Sequence, residues 1–278
     1  MRRWFHVRRR LFGLGFLVLL PMCEIARSDE PVDMRASQAS AILESAFANR
    51  YQLDLASDIE LVMRNESGRE RTRRFRVISK VIDGRTHSIG RLVWPNYLRG
   101  MTILTIEALD RTHDTFVYLP SVGKVRRIST AQRGDSFLGS DVTYEDLERR
   151  RVSEYRIDGM DDREFQGEAV FEIHASPKRD MSYDAVIFVV SAEDHAILET
   201  RYFRAPQTQP LRVVSAPREF MVEKKGHVLP TRMRVRYPSR GTTTEVVFSG
   251  IVVDPELDPQ LFSIKTLEQR RHLPGENE

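Results

Sequence analysis

The earliest clear periodicity in the chain is helical. Between Ser37 and Asn49 the residues Ala41, Leu43, Phe47 and Ala48 gather on one side, which predicts an amphipathic helix. Beyond it the apolar period drops to two. Ile59, Leu61 and Met63 alternate with Asp58, Glu60 and Val62, and Phe75, Val77, Ser79 and Val81 with Arg74, Arg76, Ile78 and Lys80. The same alternation returns at Ala169, Phe171 and Ile173, at Leu198, Thr200 and Tyr202, at Met233, Val235 and Tyr237, and at Val246, Phe248, Gly250 and Val252. Strands with one apolar and one wetted face have this pattern, and antiparallel sheets favour them.

Turn signals separate the strands: Glu66-Ser67-Gly68, Asp83-Gly84, Lys224-Lys225-Gly226 and Pro238-Ser239-Arg240-Gly241. Most links are too short for a crossover helix, so successive strands are expected to pair as hairpins. The pattern predicts roughly ten or eleven strands, a number at which a sheet curls or splits. No linker or internal repeat interrupts it, so residues 29–278 read as one domain.

One stretch breaks the rhythm. Ser129 to Arg150 loses the strand pattern, and Thr143 is placed to cap a short helix over Tyr144 to Arg150 with Asp146 at the third helical position. The segment is either a plain connection or a lid; connections of this length in a compact domain usually cover or contact something.

The N-terminus is of another kind. Arg2, Arg3, Arg8, Arg9 and Arg10 precede an apolar run from Leu11 to Leu20, and Ala26-Arg27-Ser28 offers a cleavage site before Asp29. Residues 1–28 therefore read as a cleavable signal peptide. The alternative, a membrane anchor, needs about 20 apolar residues, roughly twice this run. Arg2-Arg3-Trp4-Phe5 and Arg9-Arg10-Leu11-Phe12 look like partial twin-arginine signals, but arginine suits any such segment, so the general secretory route is preferred. Cys23 follows Leu20-Pro21-Met22 in a rough lipoprotein box; Met22 is too large for its small-residue position, and lipid anchoring at Cys23 is not expected.

Cleavage changes the charge. The whole chain carries +3; without residues 1–28, which hold six arginines and one acid, 37 basic face 39 acidic side chains, a formal charge of −2. A nucleic-acid partner thereby loses its main support. Cys23 is the only cysteine and leaves with the signal, so the exported chain has no disulfide and no thiolate metal site.

Catalytic motifs are scarce. His87, His113, His174, His195, His227 and His272 show no metal-ligand spacing and no His-Glu-x-x-His pattern, so each is read as structural or surface-borne. Gly134 to Gly139 resembles a nucleophile elbow around Ser136, but Leu138 stands where that motif needs glycine. Gly123-Lys124 lacks the rest of a phosphate loop. The runs Arg71-Thr72-Arg73-Arg74 and Glu148-Arg149-Arg150-Arg151 read as solvated faces, with an anionic lipid headgroup as the alternative partner. No catalytic residue, metal or cofactor is expected. From periodicity alone the inward apolar side chains either fill an ordinary core or enclose a ligand cavity.

A resemblance bears on that choice. Phe116-Val117-Tyr118-Leu119-Pro120, Lys124-Val125-Arg126-Arg127-Ile128, Ser136-Phe137-Leu138-Gly139-Ser140-Asp141 and Thr143-Tyr144-Glu145-Asp146-Leu147 form a series. Later come Leu229-Pro230-Thr231-Arg232-Met233, Asp258-Pro259, Leu261-Phe262 and Leu267. Together, over most of residues 50 to 270, these resemble the outer-membrane lipoprotein-sorting protein family, LolA-like, in the branch associated with RND/MMPL-type transporters. The resemblance implies an α+β, mostly β fold: a half-closed antiparallel β-barrel with helices covering the concave face. It also implies a periplasmic, non-catalytic carrier of lipid or lipoprotein acyl chains. This branch differs from the strict sorting proteins in the central series, which leaves its cargo open.

With the more apolar strand faces taken as inward, the expected cavity residues are Ile59, Leu61, Met63, Phe75, Val77, Phe171, Ile173, Leu198, Tyr202, Met233, Val235, Tyr237 and Phe248. Arg126, Arg127, Phe137, Asp141, Tyr144 and Asp146 are the expected lid or partner segment. The competing role is an adaptor that docks onto an RND/MMPL-type membrane transporter through that segment. An esterase is the third, weakest reading, since the elbow motif fails.

Overall fold

The computed structural model describes residues 32–51, 53–108, 113–269 and 272–275. The expected signal peptide, its expected cleavage site and Cys23 lie outside them. Helix α1 (Val32–Tyr51) is longer than its periodicity suggested. It buries Ala39, Ile42, Leu43, Ala46 and Phe47, positions three and four apart on one stripe, whereas Ala41 faces solvent.

The strands form two meanders. The first comprises β1 (Leu55–Arg64), β2 (Glu70–Ile82), β3 (Arg85–Trp94), β4 (Thr102–Ile106), β5 (Asp114–Leu119) and β6 (Lys124–Arg127). The second comprises β7 (Tyr155–Phe165), β8 (Glu168–Pro177), β9 (Ala185–Ser191), β10 (Ile197–Phe203) and β11 (Arg212–Ser215). A separate two-stranded hairpin follows, β12 (Met221–Lys224) with β13 (His227–Pro230), and then β14 (Arg232–Tyr237) and β15 (Thr242–Val253) complete the second meander. The last strand, β15, pairs with β1, so both meanders join in one antiparallel sheet of 13 strands, ordered β6-β5-β4-β3-β2-β1-β15-β14-β11-β10-β9-β8-β7. Period two and short turns identified most of these strands; the short β6, β11, β12 and β13 raise the number beyond ten or eleven.

Each face of the sheet is covered differently. One face, inner here, packs on α1 through the largest cluster of buried side chains, which runs from Val117 on β5 to Tyr155 on β7. On the other face α2 (Ile264–Gln269) and the residues around it bring Phe262, Leu267 and Leu273 onto Ile78, Ile89 and Leu104. The β12–β13 hairpin adds Met221 and Val228 to Val170, Val189 and Leu198.

The order of strands explains the central break. β6 and β7 are the two edges of the sheet, so residues 128–154 must connect opposite ends of it. They do so as a strap on the inner face, where Phe137, Val142 and Val152 join the main cluster. A tight hairpin, with Leu138 at φ 53° and Gly139 at φ 77°, brings Phe137 N–H onto the Val142 carbonyl at 2.7 Å. The expected helix over Tyr144–Arg150 is instead one 3-10 turn, Tyr144–Leu147. Its cap is as expected: the Thr143 N–H and hydroxyl both donate to Asp146 at 2.9 Å. The turn stops because Glu148, Arg149 and Arg150 reach in different directions for partners, and Glu148 is extended, at φ −84° and ψ 145°.

Candidate functional site: an apolar cavity under the strap

A cavity of about 300 Å³ lies between the inner face of the sheet, the end of α1 and the strap. Ile103 on β4 and Thr200 on β10 both line it. Those strands are seven places apart in the sheet; at about 4.8 Å per strand a flat sheet would separate them by about 34 Å. The sheet therefore curves around the cavity.

Of the expected cavity residues, Ile59, Leu61, Phe75, Val77, Tyr202, Met233, Val235 and Phe248 line it. Met63 and Tyr237 are on the same face but under the strap, for they pair with Thr244 and Thr242, whose hydroxyls donate to Asp141. Ile173 is fully buried and Phe171 half-buried on β8 in the main cluster outside the cavity. There Phe47 of α1 fills the space, its ring edge-on to Phe188 at 5.4 Å between centroids, and Phe188 pairs with Ile173.

Leu198 is a correction. A bulge between Ile197 and Glu199 shifts the register of β10 and turns Leu198 to the opposite face, against Val170 and Val189. Ile197 takes the inward place.

The segment expected to be a lid or partner surface divides. Arg126 and Arg127 are exposed on edge strand β6, Arg127 paired with Asp114. Phe137 and Asp146 line the cavity, Asp141 is buried against β15, and Tyr144 packs edge-on against Phe137 at 5.6 Å. These four point inward and offer a partner little surface.

The run Glu148-Arg149-Arg150-Arg151, expected to be solvated, is a second correction: Glu148, Arg149 and Arg150 are buried. Glu148 accepts from Arg133 Nε at 2.7 Å, and Arg149 donates to Glu107 at 3.0 Å. Arg151 also bonds Glu107. From the other arginine run, Arg73 is buried too, its guanidinium 5.9 Å from the Tyr97 ring centroid. Connecting segments elsewhere in the chain supply these partners, which composition does not show.

Asp146 is the electrostatic centre. Arg212, 1% exposed, grips it with both terminal guanidinium nitrogens, Nη2 at 2.8 Å, and Arg150 Nη2 approaches at 3.2 Å. Burial alone would raise the Asp146 pKa, but Arg212, Arg150 and the Thr143 bonds outweigh it and hold the carboxyl below its ordinary range. Tyr202 lies beneath both arginines, 4.3 Å from Arg212 and 5.3 Å from Arg150.

Several lining residues carry no apolar signal: Ser57, Ser79, Ser88, Gly90 and Thr105. They alternate with the outward side chains in the inward series of β1 to β4, and Ser79 pairs with Ser88, which pairs with Thr105. Small side chains at inward positions leave space that a filled core would close; that interruption of the apolar series is the signal for them.

Ser136 donates its hydroxyl to the Ser140 carbonyl at 2.5 Å, a turn contact. Among the described residues no group of three or more His, Cys, Asp or Glu side chains is placed to hold a metal ion. His113 ties the strap to the sheet: its Nδ1 accepts from Ala108 N–H at 3.3 Å, so Nε2 donates to the Arg149 carbonyl at 3.0 Å. Burial pushes its pKa below the ordinary 6.5, and His87 shifts the same way. The unfolded chain then binds more protons, so this contribution is complete above pH 6.5 and is lost as pH falls. Thermal melts should show a plateau above about pH 6.5 and a decline below it, with a smaller decline for His113→Gln. Equal midpoints at pH 5.5 and 7.5 would exclude this role.

A curved antiparallel sheet around a roofed apolar cavity is the architecture of proteins that enclose a ligand. A family model described as that of an uncharacterized protein matches residues 84–269, about two thirds of the chain. The chain belongs to the family that this model describes. A DUF1329 family protein from Desulfovibrio piger is 24% identical, with a TM-score of 0.75 over 85% of this chain and 99% of its own. A candidate outer membrane lipoprotein-sorting protein domain from Vibrio parahaemolyticus is 20% identical, with a TM-score of 0.78 over 84% and 99%. A LolA superfamily protein from Nitrosomonas europaea is 19% identical, with a TM-score of 0.67 over 82% and 98%. No curated protein matches the sequence significantly.

Proposed function

We propose that this chain is a periplasmic carrier that holds lipid or lipoprotein acyl chains inside a half-closed β-barrel, without covalent chemistry. The observation that carries the proposal is the apolar cavity of about 300 Å³ roofed by α1 and the strap. Each methylene moved from water into such a space contributes about 0.8 kcal/mol. The adaptable side chain of Met233 suits a ligand without fixed shape. The Vibrio parahaemolyticus relative's lipoprotein-sorting name and the signal-like N-terminus point to the same compartment and cargo.

The test is lipid extraction and mass spectrometry on protein purified from the periplasm under native conditions. Acyl lipid at a stoichiometry near one per chain is the expected result; protein consistently free of lipid would count against a carrier.

The adaptor reading keeps one supporting observation, the exposed Arg126 and Arg127 on an unpaired sheet edge. Arg126→Glu/Arg127→Glu should then weaken capture of an RND/MMPL-type transporter and leave lipid content unchanged. A carrier has to dock in order to load, so the two roles are compatible.

A further inference from the structure

Apart from a few small hydroxyl side chains on β1 to β4 and Thr200 on β10, the polar lining of the cavity is charged. Its charged lining side chains are Arg50, Arg150 and Asp146. Asp146 is already occupied by Arg212 and by both donors of Thr143, and Arg150 shares it through Nη2 alone. Arg150 is 3% exposed, and its Nε and Nη1 have no hydrogen-bond partner among the described residues. Two buried guanidinium ions thus share one carboxylate, and the cluster holds a surplus positive charge beside an apolar space.

Such an arrangement is costly when left alone. A buried donor without a partner forfeits its hydration, and a buried charge forfeits more. Buried polar groups in native proteins are nearly always satisfied, by protein, water or ligand. Arg50, at the end of α1, is also poorly supplied: its Nη2 donates to the Met233 thioether at 2.7 Å, a weak acceptor. Among the described residues no other carboxylate lines the cavity to balance these arginines.

We infer that the cavity binds an amphiphile with a compact oxyanion headgroup, a carboxylate or a phosphate ester. Its chain lies along Ile59, Phe75, Val77 and Phe248, and its headgroup accepts from the Arg150 guanidinium. This assignment rests on the carrier reading and adds the headgroup chemistry to it. Arg150 Nε–H and Nη1–H point to opposite edges of the guanidinium, so an oxyanion gains one charge-assisted bond there rather than a two-donor fork. One negative charge neutralises the surplus that Asp146 leaves.

The test uses the delipidated, periplasmically expressed protein loaded with the neutral fluorescent probe N-phenyl-1-naphthylamine. Dodecanoate, dodecyl phosphate, dodecanol and dodecyltrimethylammonium are titrated against it below their micellar concentrations, with inorganic phosphate alongside. At least one of the two anions should displace the probe at about tenfold or lower concentration than dodecanol, the value of one charge-assisted bond. The tighter of the two identifies the headgroup. The ammonium should be the weakest chain, and inorganic phosphate should not compete.

Arg150→Gln should erase the preference for the anion and leave dodecanol unchanged, and Arg150→Lys should restore part of it. Equal displacement by dodecanol and both anions in the wild-type protein would overturn the headgroup site and leave the carrier reading standing. An undiminished preference in folded Arg150→Gln, or competition by inorganic phosphate as strong as by dodecyl phosphate, would also overturn it. If neither the probe nor any chain binds, the carrier reading itself fails. The wild-type comparison decides the matter even where a variant does not fold.

Discussion

Asp146→Ala should lower the unfolding free energy by about 3–5 kcal/mol, the cost of leaving a buried cation without its partner. In a domain of this size that corresponds to a fall in midpoint of roughly 6–20 °C. The effect is large because the carboxylate serves three groups at once: Arg212, Arg150 and the cap of the Tyr144–Leu147 turn. Removing it leaves two guanidinium ions above Tyr202 with no counter-charge and frees the turn that anchors the strap. Asp146→Asn keeps the shape and loses the charge, so it should fall most of the way. Asp146→Leu combined with Arg212→Met removes both ends of the closest pair and should recover part of the loss, since apolar replacement of a buried pair is often near neutral. Urea melts of the four proteins measure these differences. A loss below about 1 kcal/mol for Asp146→Ala, the level of an exposed ion pair, would show that the cluster does not hold the strap.

How far the sequence revealed these features depended on whether the signal was local. Period two identified the inward faces of β1, β2 and β14, and eight expected residues, Ile59 and Phe248 among them, meet at the cavity. The Thr143–Asp146 cap was equally visible, because a capping box lies within four residues. Leu198 was misplaced because alternation carries through a bulge on paper and reverses in the chain. Glu148, Arg149 and Arg150 looked solvated because their charges are adjacent in sequence; each is paired inside, Arg149 with Glu107 and Glu148 with Arg133. The route of the strap was also hidden. It follows from the pairing of β15 with β1, which makes β6 and β7 the edges that residues 128–154 must connect. Pairing between the two ends of a chain is the contact that local pattern reports least.

The small inward residues carry the second large effect. Gly90→Phe should abolish lipid retention and leave the protein folded. Gly90 lies in β3 facing the cavity, and a β-carbon there would meet only Val77 Cγ2 at 3.5 Å, an ordinary contact. Its backbone is not in the left-handed region, and glycine inside a strand contributes less stability than a β-forming residue. The added ring would bury apolar area worth about 1.5–3 kcal/mol, against an overpacking cost of about 1–3 kcal/mol, so stability should change little. A ligand would lose the volume the ring takes. If the ring displaces about four methylenes, the loss is about 3 kcal/mol, more than a hundredfold in affinity. Ser79→Phe approaches the same space from β2 and should act alike. Probe displacement and lipid content, measured beside thermal melts, separate a filled cavity from a damaged fold. Wild-type lipid content in a well-folded Gly90→Phe protein would place the cargo outside this cavity.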